Sequence, residues 1–116
     1  MNKMEYRVDA KIIQQLSLYF FMHGMTNFSL AFAIDDNKIL FDVDVPFLKE
    51  DMLLEMEEKF RQSRAMEVEM YGWELMGDTD PDLVLDVLSA FIDSYKITKM
   101  ETHYHIQFVR KKTYQA

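Results

Sequence analysis

The hydrophobic pattern changes its period at Gly24, and this change constrains the fold more than any other feature. Before it, between Asp9 and Met22, apolar residues recur at three- and four-residue spacings: Ile12, Ile13, Leu16, Tyr19 and Phe20. This spacing is typical of an amphipathic helix with one buried stripe. We predict that Asp9 caps its N-terminus. His23 then belongs to its last turn and Gly24 ends it, because glycine adopts positive φ without penalty.

After Gly24 the segment "FSLAFAIDDNKILFDVDV" alternates apolar and small or polar residues, which is the period of a strand. A cluster of turn-forming residues, Asp35 to Lys38, divides the alternation into two halves. The sequence therefore predicts a β-hairpin with one apolar and one largely polar face. Pro46 ends its second strand, because proline cannot donate to a strand ladder.

The rest of the chain predicts two helices and a second hairpin. Leu53, Met56 and Phe60 share one helical face, and a helix from Asp82 to about Ser94 is apolar over most of its surface. Two strands follow around Glu101 and Thr102. The order α-β-β-α-α-β-β predicts an α+β fold, a two-layer sandwich with a mainly antiparallel sheet and helices packed on one face. At 116 residues and without a linker, we expect residues 1–116 to form a single domain.

Charge and composition exclude several classes of function. The net charge of −7 argues against nucleic acid as a partner, since a positive face is needed to release counterions. The chain contains no cysteine, so disulfides and thiolate sites are excluded. The N-terminus lacks the apolar stretch of a signal peptide, and no apolar run is long enough to span a membrane. We expect a cytoplasmic protein with no membrane partner.

The signatures of the commoner enzymes are missing. No Gly-x-Ser-x-Gly motif presents a nucleophile, and three glycines in the whole chain are too few for a phosphate-binding loop. These absences favour a non-enzymatic protein that holds no cofactor.

One histidine cluster offers an alternative. Glu101, His103 and His105 form an E-x-H-x-H pattern, which on a strand places all three side chains on one face, as a two-histidine, one-carboxylate metal site requires. The same pattern also describes the solvent side of a sheet. A metal-dependent enzyme using these three residues is therefore the less favoured hypothesis.

The first hairpin and the C-terminal tail carry charged residues with simpler interpretations. Asp35, Asp36, Asp42 and Asp44 could hold a hard cation, but the calcium-loop spacing is missing. We expect Asp42 and Asp44 to solubilise the open face of the sheet and to discourage edge pairing. The tail "RKK" at 110–112 is predicted to be a solvated strand end.

The segment "MEVEMYGWELM", residues 66–76, is the best candidate for binding another protein. Methionine, tyrosine and tryptophan make adaptable or anchoring contacts, and the predicted contact residues are Met70, Tyr71, Trp73 and Met76. The alternative is that Tyr71 and Trp73 cover the core, because large aromatic side chains usually find burial. A homodimer could also form, through an uncovered strand edge or the open face of the sheet.

The element order resembles that of the histidine-kinase-like ATPase (GHKL) family, especially its small anti-sigma members. The resemblance is carried by a helix ending in "MHG", a hairpin, a helical segment, another helix and a closing hairpin ending in "FVRKK". In that family the first helix carries a glutamate, an asparagine four residues later, and then His-Gly. Here Gln15, Tyr19, His23 and Gly24 occupy these positions.

The nucleotide-binding motifs of the family are altered in this chain. Asp44-Val45-Pro46 stands where the family has its Asp-x-Gly adenine box, and only Gly72 and Gly77 lie where it has a glycine-rich lid. The resemblance implies a degenerate domain that kept the scaffold and lost nucleotide binding. The alternative it implies is a nucleotide-binding regulator or phosphotransfer enzyme with Asp44 and His23 near the ligand. The sequence thus favours a small, acidic, non-enzymatic module for protein interaction or regulation.

Overall fold

The computed structural model describes residues 3–61 and 83–111. Within these ranges the helices are α1 (Lys3–Met22), α2 (Glu50–Lys59) and α3 (Val84–Phe91), and the strands are β1 (Ser29–Asp35), β2 (Lys38–Val45), β3 (Ser94–Lys99) and β4 (Tyr104–Lys111). The strands form one antiparallel sheet in the order β1-β2-β4-β3. The predicted α+β sandwich, with its element order and antiparallel sheet, is confirmed.

The core lies between the helices and one face of the sheet. Alternate residues of β2 and β4 are buried there, and each helix contributes apolar side chains to the same cluster. The buried apolar residues from the sheet are Ile39, Phe41, Val43, Val45, Ile106 and Phe108, and those from the helices include Ile12, Leu16, Phe20, Met52, Met56, Leu88 and Phe91. The core is thus built by the two periods that the sequence shows, 2 in the strands and 3.6 in the helices.

Helix α1 ends as predicted. Gly24 has a φ of 80°, and Met25 N–H donates to the Phe20 carbonyl at 3.1 Å while Gly24 N–H donates to the Phe21 carbonyl at 3.0 Å. These two bonds define a Schellman motif, which satisfies carbonyls that the last helical turn leaves free. The chain then turns directly into β1.

The predicted start of α1 is wrong. The helix already includes Lys3, and Asp9, predicted to be its N-cap, is a buried residue inside it. Val8 explains the difference, because it is fully buried one turn before Ile12 and so extends the apolar stripe towards the N-terminus. Nothing in the sequence between Lys3 and Asp9 breaks a helix.

The prediction of a solvated end for β4 is also wrong for its first residue. Arg110 is 1% exposed, because the period of two places it on the same face as Phe108. Its Nη1 donates to the Phe91 carbonyl at 3.1 Å, and its guanidinium lies 5.3 Å from the centre of the Phe91 ring. Burial of an arginine requires such partners, and α3 supplies them.

Candidate functional site

Polar side chains meet on the open face of the sheet, where β2 and β4 run side by side. The register pairs Asp44 with His105 and Asp42 with Gln107. All four therefore project away from the core, since residues directly opposite each other in an antiparallel pair share a face. We call these four residues the open-face cluster.

His105 is the centre of this cluster. Its Nδ1 lies 2.9 Å from Asp44 Oδ1 and its Nε2 lies 3.0 Å from Asp42 Oδ1. The Gln107 amide also donates to Asp42 Oδ1, at 3.0 Å. One imidazole thus joins two carboxylates of the neighbouring strand.

This geometry favours the doubly protonated imidazolium of His105. A carboxylate only accepts hydrogen bonds, so both ring nitrogens must carry a proton for both contacts to be hydrogen bonds. The hydrogen bond to Asp44 raises the pKa of His105, and the same contact lowers the pKa of Asp44. Because both ring nitrogens of His105 face carboxylates, neither offers a lone pair to a substrate. The arrangement therefore fits a structural contact that joins β2 and β4 better than it fits a general base.

A shallow cavity of about 460 Å³ lies at one end of this cluster. It is bordered by the start of β1, the end of β2 and the turn before β4, and its polar lining includes Asn27, Ser29, Asp44, Thr102 and His103. The Nε2 atom of His103 lies 3.2 Å from Asp44 Oδ1, so Asp44 contacts two histidines at once.

The predicted Glu101, His103 and His105 set is only partly assembled. Strand β4 begins at Tyr104, so Glu101 lies in the preceding turn, and it is exposed. His103 and His105 do converge, but on Asp44. In residues 3–61 and 83–111, no group of three or more histidine or acidic side chains is placed to hold a metal ion. The geometry therefore gives the metal hypothesis no support.

A second polar group lies between the helices. Tyr19 Oη donates to Glu55 Oε1 at 3.3 Å, and Lys59 Nζ lies 2.9 Å from Asp86 Oδ1. Burial and the charge of Glu55 raise the pKa of the Tyr19 hydroxyl. Tyr19, Glu55 and Lys59 border a cavity of about 360 Å³ together with His23, whose ring lies 4.6 Å from that of Tyr19.

The positions of the GHKL resemblance are divided between the two sides of the sheet. Gln15 and Tyr19 are buried in α1, and His23 lies beside Tyr19. Asp44 projects from the open face, where it binds His103 and His105. The structure does not bring Asp44 together with Gln15 and Tyr19.

The outer edge of β1 carries exposed apolar side chains. Phe32 and Ile34 are on the same face as the buried residues of β2, yet they are 40% and 44% exposed. The strand "SLAFAID" has no lysine or proline, and its register with β2 is unbroken from Ser29 to Asp35. Edge strands usually carry such features or a bulge, because an open edge can pair with another chain.

The predicted partner-binding residues Met70, Tyr71, Trp73 and Met76 lie outside the described residues, and so do Gly72 and Gly77. Their roles stay predictions.

The sequence predicted an open face that carries Asp42 and Asp44 and a possible uncovered strand edge, but neither the contacts on that face nor which strand forms the apolar edge. Asp42 and Asp44 were expected to solubilise the open face, and the structure shows that they also contact His105 across the sheet. Polar residues at alternate positions of β2 and β4 are visible in the sequence. Whether they contact each other depends on β2 lying next to β4, which the sequence does not show. The uncovered inner side of β1 has no local signal, because Phe32 and Phe41 follow the same alternation.

Comparison of the chain with protein-family models, with curated proteins and with solved structures gives no match. Among the described helices, none combines the length and hydrophobicity needed to cross a membrane.

Proposed function

We propose that this chain is a non-enzymatic protein-interaction module with a regulatory role, and that its contact surface is the outer edge of β1. The observation that carries the proposal is the exposure of Phe32 and Ile34 on a strand without edge protection. An added strand would bond to the outward backbone groups of β1, with which no other described strand pairs, while its alternate side chains would cover these two.

The contrast between the two outer strands supports this choice of surface. Strand β3, at the opposite edge, carries Lys96 and Lys99, both exposed, and lysines discourage strand addition. Strand β1 has a single charge, Asp35, next to the turn. A partner strand therefore meets a charged edge on one side of the sheet and an apolar edge on the other.

The proposal includes the loss of nucleotide binding that the GHKL resemblance implies. It is supported by the placement of Gln15 and Tyr19 in the helix layer and of Asp44 on the open face. We expect Mg²⁺-ATP to leave the melting temperature unchanged, because only a ligand that binds the native state raises it. A clear rise would support the alternative, a nucleotide-binding regulator, and would contradict this part of the proposal.

A photo-crosslinking experiment tests the contact surface. A benzophenone amino acid replaces Phe32 in one variant and Leu54, which is 59% exposed on α2, in a control variant. After irradiation in cells that express the protein, we expect a discrete protein adduct from position 32 and none from position 54. The mass of the adduct distinguishes a second copy from another protein. No adduct from position 32, or the same adducts from both positions, would contradict the proposal.

A further inference from the structure

We infer that the strand that pairs with β1 is β1 of a second copy of this chain, antiparallel and with Phe32 opposite Phe32, which joins two four-stranded sheets into one. This inference rests on the proposed function, since it names the partner of the same edge. It depends on the sequence of β1, on its outer edge, which no other described strand covers, and on the exposure of its side chains on the helix side.

The sequence of β1 is close to symmetric about Phe32. In the proposed register Ala31 lies opposite Ala33, Leu30 opposite Ile34, and Ser29 opposite Asp35 of the second copy. Small residues thus face small ones and aliphatic residues face aliphatic ones. No two like charges are opposed, which would destabilise a strand pair. Pairing with a second copy about a two-fold axis requires the sequence of β1 to be compatible with its own reverse. A partner strand of unrelated sequence would not require this symmetry.

The same register covers the side chains that this edge leaves exposed. Residues directly opposite in an antiparallel pair lie on the same side of the sheet. Phe32, Leu30 and Ile34 would therefore meet their counterparts on the helix side, where Phe32 and Ile34 are now 40% and 44% exposed. On the open side Ala31 meets Ala33 and Ser29 meets Asp35, and the small alanine side chains allow close approach.

The backbone of β1 fits this register as well. In an antiparallel pair, every second residue directs its N–H and C=O groups away from its partner strand. When Phe32 lies opposite itself, even-numbered residues pair only with even-numbered residues, and odd-numbered with odd-numbered. The groups that β2 does not bond on one copy therefore meet the corresponding groups on the other, at every second residue between Ser29 and Asp35.

Charge patterns at positions 31 and 33 test both the dimer and its register. The variants A31K/A33K and A31E/A33E place like charges opposite each other twice in the proposed register. The variants A31K/A33E and A31E/A33K place opposite charges there and alter the same two positions. Both side chains are exposed on the open face, so these changes leave the core intact. Using both signs of charge keeps the test valid if one variant fails to fold.

Sedimentation equilibrium of the full chain measures the outcome, with circular dichroism as the check of folding. We expect the wild type to dimerise, the like-charge variants to raise the dimer dissociation constant at least about tenfold, and the opposite-charge variants to stay close to wild type. T98K, at the β3 edge, serves as the control and should not change the mass.

A monomeric wild type would overturn the inference, and so would equal behaviour of like-charge and opposite-charge variants. These results differ from failure of the proposed function. If the crosslinker at position 32 captures a different protein while the chain sediments as a monomer, the contact surface stands and the second copy is excluded. If it captures nothing, the proposed function itself fails.

Discussion

The imidazole of His105 and the carboxylate of Asp44 are joined across the two central strands, with Nδ1 2.9 Å from Oδ1, and the other ring nitrogen faces Asp42 at 3.0 Å. Strands β2 and β4 are the inner strands of the sheet, so this contact lies at its middle. Its strength depends on the charge of His105, and histidine is the side chain whose ordinary pKa lies closest to neutral pH.

This contact predicts a pH-dependent stability. The folded-state pKa of His105 is raised, mainly by the hydrogen bond to Asp44. The stabilisation is therefore complete below the unfolded pKa of about 6.5 and is lost as the pH rises through the higher folded value. We expect the stability difference between wild type and H105Q, measured by urea unfolding, to decrease from pH 6 to pH 9.

At low pH the same contact weakens because Asp44 becomes protonated. The folded pKa of Asp44 is lowered, again mainly by the bond to His105, so its contribution is present above the unfolded value of 3.8 and is lost as the pH falls through the folded one. Because His105 and Asp44 are partly exposed, solvent screening limits the maximum to about 1 kcal/mol. If the difference in free energy of unfolding between wild type and H105Q did not change with pH, the stabilising role of the contact between His105 and Asp44 would be contradicted.

The sequence predicted the fold because its information is local. Alternation in β2 and β4 and the helical stripe of α1 each follow from burial on one side, and each can be recognised within a few residues. The terminal glycine of α1 is equally local, since Gly24 supplies the positive φ of the Schellman motif.

The open-face cluster could not be predicted because it depends on which strands are neighbours. His105 meets Asp42 and Asp44 only because β4 lies beside β2, which the order of elements along the chain does not determine. The same limit applies to β1, where the exposure of Phe32 depends on how far the helices extend over the sheet. The buried position of Arg110, by contrast, follows from strict alternation with Phe108. It was not predicted because a charged residue at a strand end is usually solvated.

Arg110 is expected to stabilise the contact between β4 and α3. Its guanidinium is buried, donates to the Phe91 carbonyl and covers the Phe91 ring. We expect R110A to lower the free energy of unfolding by about 2–4 kcal/mol, because it leaves a cavity and removes a donor from a buried carbonyl. Urea denaturation measures this loss. The matched control is K96A on β3, at an exposed position, which should change stability by less than about 0.5 kcal/mol; equal effects would contradict the structural role of Arg110.

Gly24 is expected to resist substitution for conformational reasons alone. Its φ is 80°, and a Cβ added there would have no heavy atom within 4 Å. The cost of G24A is therefore that of placing alanine in the left-handed region, about 1–2 kcal/mol. G24N should cost less, because asparagine tolerates this region better. Thermal melting distinguishes the two variants, and an equal loss for both would point to a steric cause instead.

Gln15 provides a prediction about a polar side chain inside the helix layer. It is 1% exposed, and its Oε1 has no hydrogen-bond partner among the described residues. Methionine replaces the amide oxygen and nitrogen of Gln15 by apolar atoms of similar volume and so removes the cost of burying them. We therefore expect Q15M to leave the free energy of unfolding unchanged or to raise it. Q15E introduces a carboxyl group whose charged form is disfavoured by burial, and it should lower stability by about 1–3 kcal/mol at neutral pH.

The pH dependence of the stability of Q15E and Q15M shows whether burial of the carboxylate causes the loss in Q15E. A buried glutamate has a raised folded pKa, so Q15E should recover stability relative to wild type as the pH falls towards the unfolded value of about 4.3. Q15M has no titrating group and should follow the wild type throughout. Urea midpoints from pH 4 to pH 8 provide the comparison. A Q15E variant as stable as wild type at neutral pH would show that position 15 accepts a carboxylate, the residue type that the GHKL family carries there, and would weaken the inference that the chemistry of that position has been lost.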